Sequence, residues 1–302
     1  MSAETAQEEF SGKAVILMYK GLEIICSNNF IVSESPLWDE KTKSFFFVDI
    51  LGCAFYKLDY CNGKYNKTEL PQQIGCLALC ENGDIILSMC DGIYFMDSRG
   101  NLRPAHTKQK IKGRRFNDGK VAADGLYYVG TTDDNRKGAF YRMDNNGLTE
   151  LFDCCGCSNG LDWNFDNTKM FYCDSREQKI EEFDFSISSH NISARKTIRE
   201  IPLEWGSADG MTIDAAGNLW VALWGGYGVI NVDPKNGKII KKVELPVEKV
   251  SSCCFGGEDM KDLIITTASL NSDLSKENNA GSIFRYRCDV PGIYINRYKG
   301  EI

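Results

Sequence analysis

Histidine is almost missing from this 302-residue chain, which has only His106 and His190. Two histidines cannot build the imidazole-rich cages that suit zinc and copper, and any Ser-His-Asp or Cys-His apparatus would have to use one of them. Both follow loop-like sequence, "NLRPA" and "SISS", outside any strand pattern, so neither is placed at a reaction centre. No apolar run approaches the roughly 20 residues of a membrane span. "AVILMY" near the start is too short and too poorly flanked for a secretory signal. Positive charge is in deficit, with 35 Lys and Arg against 42 Asp and Glu and a net charge of −7. That balance argues against nucleic acid and leaves metal cations and neutral or weakly anionic small molecules open. Helical periodicity is nearly absent too, which excludes a parallel α/β fold with amphipathic helices between its strands.

Cysteine, by contrast, is abundant: 13 residues, an odd number, scattered from Cys26 to Cys288. The expectation is a cytoplasmic protein whose thiols are reduced and mostly buried as small apolar groups. The cluster Cys154, Cys155 and Cys157 lacks the second ligand pair a structural zinc needs, and reads as a strand end.

Short β-branched and aromatic runs recur between Gly, Asn and Asp turns, as in "KTKSFFFVDI", "NGDIILSMC", "ADGLYYVGT", "DNTKMFYCDS", "AAGNLWVAL" and "KDLIITTAS". Each is a polar turn leading into a strand, a hairpin signal. A second strand follows each, ending at Asp59, Asp97, Asp144, around Asp184, at Asp233 and at Arg287, at intervals of 38 to 54 residues. Six such units, each with room for four short strands, predict an all-β, six-bladed β-propeller with a central channel, formed by 1–302 as a single domain. Residues 1–20 are expected to be a partly disordered N-terminal extension. Either "AVILMYKG" or "LEIICS" at the start, and "GIYINRYKG" at the end, are expected to pair within the last blade and remove its edge.

Just upstream of the hairpins stand "SESPLW", "IGCLAL", "NDGKVA", "SNGLDW", "ADGMTI" and "VSSCCF", where the innermost strands should begin. In this register the second positions are Glu34, Gly75, Asp118, Asn159, Asp209 and Ser252. Inner strands line the channel, so Glu34, Asn159 and Asp209 should converge. Asn and Asp before Gly are also ordinary turn formers, but Glu34 is not, and the recurrence at one register favours a site. Three oxygen donors, two of them anionic, suit one hard divalent cation: calcium first, with magnesium, manganese or zinc as alternatives.

Together "SESPLWDE", "FFFVDI", "RFNDGKV", "SNGLDW", "DGMTIDAAGNLWVALWGG" and "SSCCFGG" resemble the signature segments of the regucalcin, senescence marker protein, gluconolactonase and luciferin-regenerating-enzyme-like family. The likeness runs in order from about Ser33 to Ala268 and is nearest to the family's regucalcin members. It implies a six-bladed propeller with one divalent ion in its channel, hydrolysing sugar lactones. On matching positions, Glu34, Asn159 and Asp209 would be the metal ligands, Asp209 would also activate water, and Arg115 and Asn117 would contact substrate. The sequence departs from the family at Ser33, where a Gly is usual, and in "DDNRKG", which is shorter than the family's lid-like loop. Asn135 stands there in place of a Glu, with Asp133 or Asp134 available to hold a sugar.

The resulting expectation is a metal-dependent lactonase acting on a small lactone or related ester, with no nucleic-acid or membrane partner. The alternatives are a non-enzymatic calcium-binding regulator, or the same scaffold hydrolysing a phosphotriester or a luciferin-derived product. Arg115 and Asn117 beside the oxygen donors favour an enzyme, since calcium storage has no use for them.

Overall fold

Six four-stranded antiparallel sheets make up the computed structural model, which describes residues 21–105 and 111–300. The 1–20 extension with its "AVILMY" segment, and His106, lie outside the described residues. In blades 1 to 6 the innermost strands are Ser33–Asp39, Ile74–Leu79, Arg115–Val121, Ser158–Trp163, Ser207–Ile213 and Val250–Gly256. Each packs beside the next and the sixth against the first, closing a ring. The chain is therefore a six-bladed β-propeller. Among the described residues the one helix is a 3₁₀ turn, Leu203–Trp205, and no helix is long and apolar enough to cross a membrane.

The strand sequences follow their distance from the axis. Second strands are covered on both faces by neighbouring blades, and Ser44–Asp49, "SFFFVD", is buried at every position. Outermost strands meet water, and Tyr65–Glu69 and Asn191–Glu200 are polar and largely exposed. Aromatic rings fill the wedges between blades: Trp163 lies 5.4 Å from Tyr128, and Trp220 lies 6.0 Å from Phe255.

The recurrent Asp endings are turn caps. Asp59 Oδ1 accepts the Cys61 N–H (2.8 Å), Asp97 Oδ1 the Arg99 N–H (2.8 Å), Asp144 Oδ1 the Asn146 N–H (2.8 Å) and Asp233 Oδ1 the Lys235 N–H (2.9 Å). Carboxylates bonding two residues ahead fix the turn into the outer strand, which explains why the same residue recurs. Asp184 differs, pairing with Lys169 Nζ at 2.6 Å.

Two segments hold the ring shut. Leu22–Cys26, within the "LEIICS" stretch, pairs with Ile283–Arg287 and supplies the outermost strand of blade 6. That leaves no fourth position for "GIYINRYKG", which, contrary to expectation, does not pair in the last blade. It crosses the lower face as a strap. Ala215 N–H bonds Pro291 O (2.8 Å), Gly292 N–H bonds Met260 O (2.7 Å), Tyr298 N–H bonds Leu79 O (2.9 Å) and Lys299 N–H bonds Gly125 O (2.9 Å). Arg297 reaches blade 1, with Nη2 2.5 Å from Asp39 Oδ1 and 3.1 Å from Glu40 Oε1. Blades 1, 2, 3, 5 and 6 are thus tied through one segment. Burial alone would raise the Asp39 carboxyl, but the Thr42 hydroxyl, Arg297 and the Lys41 N–H outweigh it and hold the group below its ordinary value.

Arg297 is 12% exposed at its side chain and Asp39 7%, so removing one partner strands a buried charge. Arg297→Ala should cost about 3 kcal/mol in urea denaturation, with Arg297→Lys recovering part of it. A loss below about 0.5 kcal/mol, the scale of ordinary surface changes, would show that the strap does not clamp the ring.

Candidate metal and substrate site

The inner strands slip register at one level of the channel. Pairing jumps from Phe116↔Thr131 to Gly119↔Val129 in blade 3, from Ser158↔Asp174 to Leu161↔Tyr172 in blade 4, and from Ala208↔Leu223 to Met211↔Val221 in blade 5. Blade 1 slips between Glu34 and Leu37. Each is a β-bulge, which bends a strand and re-aims its side chains. The Asn-Gly and Asp-Gly pairs are therefore mid-strand bulges and not turns. Their glycines allow close approach: a Cβ on Gly160 would lie 2.4 Å from Asp209 O, and one on Gly210 1.9 Å from Ser252 Oγ. The ladders also correct the register in blade 3. Counted from the last pair before the slip, Asn117 and not Asp118 matches Asn159 and Asp209. In blade 6 the unpaired residue is likewise Ser251, not Ser252.

Second-strand carboxylates fix the way into these bulges. Asp49 accepts the N–H groups of Ile31 (2.9 Å) and Val32 (3.0 Å) ahead of Glu34, and Asp174 accepts those of Gly156 (2.8 Å) and Cys157 (2.9 Å) ahead of Asn159. Asn159 Nδ2 donates to Ser175 Oγ (2.9 Å), whose hydroxyl donates to Ala208 O (2.7 Å), the residue before Asp209. The amide carbonyl of Asn159 is left facing away from this chain of bonds.

Glu34, Asn117, Asn159 and Asp209 are all buried, yet the oxygens of two of them lack partners. Among the described residues Asn159 Oδ1 and Asp209 Oδ1 have no hydrogen-bond partner, and Glu34 Oε2 accepts the N–H of the adjacent Ser35 (3.0 Å). Burial, then Asp209 and Asp118, push the Glu34 carboxyl well above its ordinary value. Burial, then Asp118, do the same to Asp209, against the pull of Asn159 and Arg115. Orphaned oxygens and mutually repelling carboxylates in a dry setting fit a hard divalent cation held by oxygen alone. Among the described residues no three His, Cys, Asp or Glu side chains form a metal-type cluster; the donors here are two carboxylates and a carboxamide.

Arg115 and Asn117 stand together on the wall. Arg115 Nη1 donates to Asn117 Oδ1 (2.6 Å) and Phe116 O (2.8 Å), while Asn117 Nδ2 donates to Ser158 O (2.8 Å). Asp134 lies on the exposed rim, its carboxylate 3.1 Å from Arg114 Nη1 and 3.3 Å from Arg176 Nη2. Asn135 is exposed beside it, its backbone N–H on Asp133 Oδ1 (2.8 Å). Inner pair and rim turn are thus separate hydrogen-bonded groups. His190 bonds Asp124 through Nδ1 (3.0 Å) on the outer hairpin of blade 4, as its loop position implied.

Sequence reasoning missed two wall residues, Ser175 and Cys157. Cys157 Sγ is 3.6 Å from Asn117 Nδ2 and 3.8 Å from Asn159 Nδ2, and burial pushes its thiol up to about 11. Its position two residues before Asn159, just ahead of the inner strand Ser158–Trp163, was the available signal.

A propeller whose inner strands bring together buried carboxylate and amide side chains defines the class. The chain belongs to the SMP-30/Gluconolactonase/LRE-like family, whose profile matches residues 32–269. Regucalcin from Gallus gallus is 34% identical over 278 residues, covering 87% of this chain and 93% of that protein. Among solved structures, a luciferin-regenerating enzyme superposes with a TM-score of 0.84 at 24% identity, covering 92% of this chain and 99% of its own. A calcium-binding protein, regucalcin, from Agrobacterium tumefaciens gives 0.84 at 20% identity, covering 91% and 96%.

The electrostatics set a direction for stability. Carboxyls whose folded pKa is raised stabilise fully below the unfolded value of about 4, and that contribution is lost as pH rises through the folded value. Metal-free protein should therefore lose stability as pH rises from the acid side toward neutrality. Glu34→Gln, which removes one of the repelling charges, should flatten that slope and raise neutral-pH stability. Urea denaturation in chelator across the pH range checks this, and a flat wild-type profile would contradict it.

Proposed function

We propose that this protein is a divalent-metal-dependent hydrolase of sugar lactones. The observation that carries the reading is the pair of buried, unpartnered oxygens, Asn159 Oδ1 and Asp209 Oδ1, on equivalent bulges of adjacent blades near the Glu34 carboxylate. Glu34, Asn159 and Asp209 would hold the ion, with calcium the first choice for a mixed carboxylate and amide oxygen set. Bound there, a divalent cation supplies Lewis acidity toward an ester carbonyl.

The chain's own residues supply the rest. Asp209 takes the proton from the attacking water. A carboxylate beside a cation is a weak base, which confines the chemistry to activated esters and suits a strained lactone better than an amide. Arg115 presents a planar fork of donors to ring or hydroxyl oxygens, and its bond to Asn117 aims both side chains at one place. Asp134 and Asn135 would contact the outer part of a sugar at the rim. The family supports a small-molecule ester as substrate, and the protein would act in the cytoplasm. The likeness to a luciferin-regenerating enzyme favours, as a second reading, the same site acting on a luciferin-derived product.

Chelator-stripped protein should hydrolyse gluconolactone only when a divalent ion is restored, calcium being tested beside magnesium, manganese and zinc. Asp209→Asn should lower kcat by about 10²–10⁴-fold, the usual worth of a general base. Arg115→Ala should act mainly on KM, raising it about tenfold for a lost charged hydrogen bond. Tight stoichiometric calcium binding without turnover of any ester would turn the reading toward a calcium-binding protein. Turnover that survives both chelation and Asp209→Asn would refute it.

A further inference from the structure

Beneath the oxygen site the channel continues into a separate cavity of about 280 Å³, which Glu34, Asn159 and Asp209 do not line. Its upper wall is polar. Asp118 stands there, and one turn of the pleat lower Lys120 Nζ pairs with Asp162 Oδ2 (2.8 Å) and donates to Met211 O (3.1 Å). Its lower wall is apolar, formed by Leu79, Ile213 and Phe255 with Ile293 and Ile295 of the strap. Phe165 and Tyr294 border it where it meets solvent, and they are 79% and 56% exposed.

The charges do not cancel. Lys120 is hydrogen-bonded to Asp162 and its charge also acts on Asp118, which leaves two carboxylates against one ammonium. Asp118 Oδ1 accepts the Gly119 backbone N–H (2.8 Å), and among the described residues no side chain hydrogen-bonds to it. One net negative charge faces an otherwise amphipathic chamber, with the carboxylates of the oxygen site above it. A dry cavity of roughly 150 Å³ accepts benzene, so this volume takes one ring and a short chain. Exposed aromatic edges at the opening suit a flat body, and an aromatic lip also attracts cations.

We propose that the lower cavity is a second ligand site, specific for a small arylalkyl amine whose ammonium meets Asp118 and whose ring lies between Ile213 and Ile295. This site shares no side chain with the proposed ligand or substrate set, although the Asp118 charge acts on Glu34 and Asp209.

The test uses phenethylamine as probe on the full chain, followed by calorimetry and ligand-observed NMR. Saturable one-to-one binding is expected, about tenfold tighter than that of 2-phenylethanol, as befits a charge-assisted bond. Asp118→Asn should weaken the amine about tenfold and leave the alcohol unchanged. Ile295→Phe, which fills the cavity from the strap, should abolish both. Phe165→Ala, at an exposed position that folding does not depend on, should weaken both severalfold. Absence of saturable amine binding, equal affinity for amine and alcohol, or binding that Asp118→Asn and Ile295→Phe both leave intact would each overturn the proposal. Circular dichroism melts establish that the variants are folded.

Discussion

The approach of neighbouring inner strands at the level of the bulges is the constraint on which the site depends. Strands this close need glycine where a Cβ would strike the next blade, as at Gly160 against Asp209 O and Gly210 against Ser252 Oγ. The bulge that creates the contact also turns Asn159 and Asp209 inward, each with one oxygen that no described residue satisfies. Close approach therefore has an electrostatic consequence. It brings Asp209 and Asp118 near enough to raise the proton affinity of Glu34, and Asp118 near enough to raise that of Asp209, inside a buried space. Such an arrangement is costly for folding alone, and it becomes favourable once a compact multivalent cation shares the site. Stability is traded for a place where charge can be concentrated.

Closure makes that trade tolerable. The N-terminal strand completes blade 6 by hydrogen bonding, and the C-terminal strap crosses the opposite face through backbone hydrogen bonds, the buried Tyr298 and the Arg297–Asp39 pair. One closure acts at the rim of the sheets and the other near the axis, so the ring is held at two radii. The strap also floors the channel. A polar layer around Glu34, Asn159 and Asp209 then sits above a mixed, strap-lined chamber, and the two present different chemistry to different faces of the molecule.

Much of this was legible in the sequence because the repeat is written in residues with one physical role. Terminal Asp residues cap turns, apolar runs lie between blades, and polar runs lie outside. Asn159 and Asp209 could be singled out because their position after the last pair before the slip is preserved between blades, whereas Glu34 is itself that last pair in blade 1 and stood out as a carboxylate with no turn role. What could not be read were consequences of the ladders. Asn117 and Asp118 are adjacent, and only the slip between Phe116 and Gly119 shows which one holds the equivalent position. The strap looked like a strand because Ile293 and Ile295 alternate with polar residues, but alternation records two environments and not a hydrogen-bonded neighbour. Cys157 was set aside with Cys154 and Cys155 as one cluster, although the three have different fates: exposed, buried against Tyr172, and placed beside Asn117 and Asn159.

The rim can change its charges without disturbing the oxygen site. Asp134 is shared between Arg114 and Arg176, which belong to blades 3 and 4. Exposed pairs of this kind contribute little to stability, commonly less than about 1 kcal/mol, so their exchange is nearly free for folding. They nevertheless set the charge of the rim outside Arg115 and Asn117. The inner wall, by contrast, is locked by backbone acceptors: Asn117 on Ser158 O, and Ser175 on Ala208 O. A change there would move the bulges themselves. The architecture thus separates an inner wall locked by backbone acceptors from an exposed perimeter that includes the turn at Asp133–Lys137.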